Sequence, residues 1–141
     1  MLFRSDGGVL WLNGDVVFDH RVLDRVKDRI MSEKSFVCVN TSSVGEEEVK
    51  YTVDSQGNIK ELSKKVQKAL GEAVGINFIS NTDKNSAIKF LEECADNDYF
   101  ERGLELAIEK SGIKVEPVDI SDLFAVEVDF QADLDRANSQ I

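Results

Sequence analysis

Short apolar runs alternate with helical periodicities from one end of the chain to the other. Val9-Leu10-Trp11-Leu12 stops at Asn13-Gly14-Asp15, which reads as a buried strand ended by a turn. After Asp19, the residues Val22, Leu23, Val26 and Ile30 recur at helical spacing and are expected to face inward. Asp19 is placed to cap the first turn. Phe36-Val37-Cys38-Val39 predicts a second buried strand, and Val49 to Val53 alternates as a half-buried strand does. Asp54-Ser55-Gln56-Gly57-Asn58 has the turn chemistry to fold that segment back into Ile59-Lys60-Glu61-Leu62, giving a half-exposed hairpin. Ala73 to Ile79 is an apolar strand interrupted by Gly75, where a glycine points to close backbone approach. Helices are expected over 83–95, with Ala87, Ile88, Leu91 and Cys94 inward, and over 98–110, with Phe100, Leu104, Ala107 and Ile108 inward. Gly112 stops the second. Strands over 113–118 and 124–129 and a short helix from Ala132 to Ser139 complete the pattern.

Such alternation predicts a three-layer, Rossmann-like α/β domain with a mixed, mostly parallel sheet, the hairpin forming an antiparallel edge or flap. Ligands then lie beyond the C-terminal ends of the strands. A length of 141 residues with 42% hydrophobic content suits one globular domain and excludes a disordered tail. No apolar run approaches the ~20 residues that a membrane-spanning helix needs, no secretory leader is visible, and a cytoplasmic location is expected. The net charge of −10 would repel a phosphate backbone, so nucleic acid is not an expected partner. An anionic small molecule would need a metal or a local lysine. Cys38 and Cys94 have neither Cys-x-x-Cys nor histidine-rich spacing and are expected to be buried free thiols.

Three places could carry chemistry. Asp15 follows Gly14 at the end of a strand, where a carboxylate suits a hard cation such as Mg²⁺; a helix-start turn explains the same residues. In Val126-Glu127-Val128-Asp129, strand alternation puts both acids on one side, a costly arrangement unless a cation or solvent reaches them. Asp129 could instead cap the last helix. Lys64 and Lys65 follow the hairpin, where one ammonium could neutralise a phosphate, although a solvated loop is the ordinary role of such a pair. Asn97-Asp98-Tyr99-Phe100-Glu101 sets an aromatic beside a helix start. His20 reads as a helix-start residue, Glu46-Glu47-Glu48 as a solvated loop, and Gly7-Gly8 is too short to cradle phosphate.

The order and spacing of Leu12-Asn13-Gly14-Asp15-Val16-Val17-Phe18-Asp19, Lys64-Lys65, Gly71-Glu72-Ala73-Val74-Gly75-Ile76, Asn97 to Glu101 and Val126 to Ala137 resemble the nucleotidyltransferase superfamily. Within it the chain is most similar to bacterial sugar-phosphate nucleotidyltransferases and phosphocholine cytidylyltransferases. The resemblance covers Val9 to Asn138. It implies Asp15 and Asp129 as Mg²⁺ ligands with Glu127 assisting, and Lys64 or Lys65 on the acceptor phosphate. Glu72, Tyr99 and the loop after Gly75 would border the acceptor pocket, with Gly14 letting substrate approach. The implied partners are a nucleoside triphosphate, CTP favoured, and a phosphorylated sugar or amino alcohol. The acceptor phosphate would attack the α-phosphorus and release pyrophosphate.

The chain departs from the family in lacking the Gly-x-Gly-x-Arg loop that grips the triphosphate, and its Asp15 comes near the start. It is therefore expected to be the C-terminal, metal- and acceptor-binding part of such a domain, residues 6–141, truncated at the N-terminus and inactive alone. Met1-Leu2-Phe3-Arg4-Ser5 is expected to be a non-native leader. Two other readings are a non-catalytic α/β regulatory or assembly module and a glycosyltransferase of related fold. The latter usually carries Asp-x-Asp, and Asn13-Gly14-Asp15 lacks the first acid.

Overall fold

A computed structural model describes residues 6–42 and 44–141; the expected leader, Met1–Ser5, lies outside them. In chain order the elements are β1 (Val9–Leu12), β2 (Val16–Phe18), α1 (Arg21–Met31), β3 (Phe36–Asn40), β4 (Lys50–Val53), β5 (Ile59–Ser63), β6 (Gly71–Ile79), α2 (Asn81–Glu93), α3 (Phe100–Ser111), β7 (Glu116–Asp119), β8 (Ala125–Glu127) and α4 (Gln131–Gln140). The main sheet runs β5-β4-β6-β3-β7, with β1 also on β6, and β2 and β8 form a separate two-stranded ribbon.

The sheet is mixed, as the sequence implies, but its balance is the reverse of the one expected. β1, β3 and β4 pair antiparallel with β6, and β5 pairs antiparallel with β4. Among the described residues of this sheet only β3 and β7 run parallel. A parallel pair needs a long crossover. Here the segment between β3 and β6 is spent on the β4–β5 hairpin. The helices α2 and α3 together return the chain to the end of the sheet where β6 stopped, so β7 runs opposite to β6.

Alternation along β3 sorts the two faces. Phe36 and Cys38 pack with Val22 and Val26 of α1 and with Ile76, Phe78, Val118 and Ile120. Val37 and Val39 pack with Ala87 of α2, Leu104 of α3, Tyr51, Ile59, Leu62 and Ile79. Helix, sheet and helix pair are thus three layers, each fully buried aliphatic or aromatic side chain contributing about 1.5–3 kcal/mol. Leu23, expected inward, is 41% exposed. The buried stripe of α1 is Val22 and Val26, four residues apart, and Leu23 is turned about 100° away from it. β1 is half exposed rather than buried, because Leu10 and Leu12 lie on a face that nothing described covers. Cys94 is half-buried, whereas Cys38 is enclosed and burial pushes its thiol up to about 12.

Local chemistry explains several boundaries. His20 takes the N-cap position of α1 without a side-chain bond, and Asp19 satisfies the amide of Arg21 at 2.9 Å instead. Asp54 Oδ1 accepts from the amides of Gln56 and Asn58 at 2.8 and 3.1 Å, with Gly57 at φ +82°, which closes the β4–β5 turn. Gly112 ends α3 in the left-handed conformation. The helix after Asp129 has Phe130 at its N-cap, and Asp133, in the first turn, reaches back: its Oδ2 accepts from the amides of Asp129 and Phe130 at 3.2 and 2.9 Å. That leaves the carboxylate of Asp129 free of the capping role.

Candidate functional site

The short ribbon β2–β8, of which the pattern reading gave the second strand but neither β2 nor the pairing, assembles the acidic corner. Its register sets Val16 opposite Glu127, and the Val128 amide donates to the Asp15 carbonyl at 2.8 Å. Asp15 is thereby fixed beside the two acids of the other strand. One carboxylate oxygen from each of Asp15, Glu127 and Asp129 falls within 4.8 Å of the others, and all three residues are exposed. Such a set of hard oxygen donors, open on one side, fits Mg²⁺, which binds through one or two carboxylates and completes its shell with water or phosphate oxygens. Crowding shows in the electrostatics: burial first, then the charges of Glu48, Asp15 and Asp129, push the Glu127 carboxyl up to about 7. A cation would reverse that pressure.

Two cavities meet at this corner. One runs past Val16, Asn40, Glu72 and Val74 to Asp133 and Arg136 of α4. The other runs past Asn13 and Gly75 to Lys64, Tyr99 and Glu101. Glu48, Ala73, Glu127 and Asp129 line both. Gly75 shapes the junction. Its φ is +77°, and a Cβ there would lie 2.6 Å from Asn13 Nδ2, while the Asn13 amide donates to the Gly75 carbonyl at 2.9 Å. The close approach expected from a glycine in this strand is therefore made to the turn that carries Asp15. Asn13 Oδ1 also accepts from Trp11 Nε1 at 3.0 Å, and the Trp11 ring stacks on Phe100 with centroids 4.8 Å apart. This stack pins the start of α3, with Tyr99 and Glu101 on either side of Phe100, against β1.

The sequence-derived candidates separate in space. Asp15, Glu127 and Asp129 converge; Lys64, Gly75 and Tyr99 line the second cavity; Glu72 lines the first. The Lys64 amide donates to the Tyr99 hydroxyl at 3.3 Å, which joins the end of the hairpin to α3. Lys65 and Gly14 are exposed and line neither cavity.

Two residues at the site escaped the pattern. Glu48, read as part of a solvated loop, reaches the junction of the two cavities, because Glu72 Oε2 accepts from the Gly45 amide at 3.0 Å and Lys50 Nζ donates to the Glu46 carbonyl at 2.9 Å. Burial and the charges of Glu72 and Asp129 raise its pKa. Glu101, in the first turn of α3, is 7% exposed and lines the second cavity together with Lys64; burial raises its pKa against the opposing effects of its own amide and Lys64. A charged residue directly after a core aromatic was the one signal available for it.

No described sequence family and no curated protein matches the chain. Solved structures do. The inositol-1-phosphate CTP transferase from T. maritima superposes with a TM-score of 0.74 at 15% identity, over 98% of this chain and 57% of that one. A protein assigned as a glucose-1-phosphate thymidylyltransferase from Bacillus anthracis gives 0.67 at 16%, over 98% and 56%. The nucleoside-diphosphate-sugar pyrophosphorylase from Vibrio cholerae gives 0.64 at 9%, over 95% and 57%. At these identities the likeness is one of fold: the chain has the nucleotide-diphospho-sugar transferase fold and spans little more than half the length of these neighbours.

Proposed function

We propose that this chain is the metal- and acceptor-binding, C-terminal part of a Mg²⁺-dependent nucleotidyltransferase. The observation that carries the reading is the convergence of Asp15, Glu127 and Asp129, the last two in the wall of a cavity that Lys64 also lines. The fold shared with nucleotidyltransferases supports it. Mg²⁺ held by these acids supplies charge neutralisation at the phosphates and a template for in-line attack. Lys64 binds the acceptor phosphate as a point charge, Tyr99 and Gly75 border it, and Glu72 orients the loop that brings Glu48 to the junction. The acceptor phosphate oxygen forms a bond to the α-phosphorus of the triphosphate, CTP by preference, as the bond to the β-phosphate oxygen breaks and pyrophosphate leaves. The chain's part in this is positioning and charge, with no covalent intermediate. The acceptor is a sugar phosphate or an amino-alcohol phosphate.

Paired titrations of the purified chain test the reading. Mn²⁺, followed by electron paramagnetic resonance, is expected to bind and to be displaced by Mg²⁺; inorganic phosphate is expected to bind more tightly with the metal present. Absence of metal binding at neutral pH overturns the proposal and favours the non-catalytic module. Pyrophosphate release from CTP is not expected of the 141-residue chain by itself, because the Gly-x-Gly-x-Arg triphosphate loop is lacking.

A further inference from the structure

β5 is the last strand on its side of the sheet, so the amides that it turns away from β4 need partners from outside the sheet. Along and just past this strand, three amides find them. The Ile59 amide donates to the Val115 carbonyl at 2.8 Å, the Leu62 amide to Glu105 Oε2 at 2.8 Å, and the Lys64 amide to the Tyr99 hydroxyl at 3.3 Å. The last two acceptors belong to one helix, Tyr99 at the N-cap of α3 and Glu105 within it. Glu105 is held at both oxygens, because Arg102 Nη1 donates to its Oε1, and its side chain is only 14% exposed. An amide bonded to an ionised carboxylate makes one of the stronger hydrogen bonds available to a backbone. α3 is itself tied to β1 by the stack of Phe100 on Trp11, so the carboxylate is a fixed point. β5 stops at Ser63, and no strand or helix resumes before Gly71. The root of the Lys64 side chain is therefore set by the Leu62 and Lys64 amides, two residues apart and both bonded to α3.

From this geometry we infer that Glu105 is a positioning residue for Lys64. It lines neither cavity at the acidic corner, and acts by holding the end of the hairpin so that the ammonium is presented to the second cavity. Arg102 orients the carboxylate for this task. The inference rests on the nucleotidyltransferase reading proposed above, in which Lys64 binds the acceptor phosphate. Coupling of this kind is reciprocal: whatever factor the Leu62–Glu105 bond adds to phosphate affinity, bound phosphate adds to that bond.

The test titrates inorganic phosphate calorimetrically into the Mg²⁺-loaded chain, with Mn²⁺ affinity measured separately. Glu105→Leu is expected to weaken phosphate binding by about fivefold or more, the lower range for coupled sites, while Mn²⁺ affinity stays within about twofold. Added to Lys64→Ala it is expected to cost nothing further, since both changes act through one contact; a purely structural loss would add. Glu105→Gln keeps an oxygen for the Leu62 amide and is expected to hold phosphate affinity within about twofold of the unsubstituted chain. Unchanged phosphate affinity in Glu105→Leu, or additivity with Lys64→Ala, overturns the inference. Should Glu105→Leu not fold, hydrogen exchange on the unsubstituted chain decides. Saturating phosphate is expected to slow exchange of the Leu62 amide by about fivefold and to leave the Ile59 amide, bonded to Val115, unchanged. No slowing, or equal slowing at both, overturns the inference and leaves the phosphate site standing. Failure of the unsubstituted, Mg²⁺-loaded chain to bind phosphate at all overturns both readings together.

Discussion

The acidic corner and the Lys64–Glu101 side of the second cavity are built on opposite principles. At the corner, three exposed acids are pressed together by the register of a ribbon only three residues long on each strand. Elsewhere in its wall, Lys64 is exposed but Glu101 is buried in the first turn of α3, next in sequence to Phe100 of the aromatic stack. The corner holds mutual repulsion that a cation can relieve. The other side holds a desolvated carboxyl, Glu101, whose charged form is opposed by burial and favoured by its own amide and Lys64. On the proposed reading, metal binding would be governed by the ionisation of this cluster of three acids.

Substitutions that take the two sides apart sharpen this contrast. Asp129→Ala removes a carboxylate from the acidic cluster and is expected to lower Mn²⁺ affinity by about a hundredfold or more, an effect at least as large as those of losing an outer-shell partner. Unchanged affinity would remove Asp129 from the site. Gly75→Ala attacks the join, since a side chain at φ +77° also meets Asn13. It is expected to destabilise the chain by about 1–3 kcal/mol in urea unfolding and to weaken metal binding along with it. Lys64→Ala should reduce phosphate affinity by about tenfold while sparing Mn²⁺ binding, in line with one lost charge-assisted contact. Lys65→Ala is expected to change neither by more than about twofold, as a solvated lysine would.

The acidic corner also makes a pH prediction. Glu127 sits at about 7 in the folded chain against an ordinary 4.5, so between those values the native state holds a proton that the unfolded chain has lost. Stability then falls as pH rises through that window, and the penalty is complete above 7. Metal binding runs the other way, because Mg²⁺ must displace the proton. Thermal denaturation at pH 5 and pH 8 is expected to show the lower midpoint at pH 8 without divalent cation and the larger gain on adding Mg²⁺ at pH 8. Glu127→Gln should flatten both trends.

Much of this architecture was legible from residue order because local rules and tertiary packing agree. β3 reads as buried and is; the Asp54–Asn58 turn and the Gly112 stop are where their chemistry demands. Strand direction was not legible, since an apolar run carries no record of which neighbour it will pair with. β2 escaped for a related reason: Val16-Val17-Phe18 is too short for a period, and its strand state is conferred by β8, more than a hundred residues later. Asp15, Glu127 and Asp129 could be singled out individually from strand ends, yet what gathers them is that same long-range pairing. Glu48 was hidden because its loop is composed like a solvated one, and only the partners at its base turn it inward. Glu101 was hidden because burial of a carboxylate leaves no signature in a helical pattern that already places Phe100 and Leu104 inward.

The loop that brings Glu48 to the junction has a mechanical property of its own. Lys50 and Glu72, which hold its backbone, are directly opposite each other on β4 and β6. A single rung of the sheet thus acts as the clamp on the loop, gripping it by a donor on one strand and an acceptor on the other. Slippage of β4 along β6 by one residue would turn Lys50 to the opposite face, away from Glu72, and take its ammonium off the loop. The position of Glu48 over the cavities is therefore a gauge of strand alignment several residues away, and the hairpin carrying Lys64 is attached to the same gauge through β4.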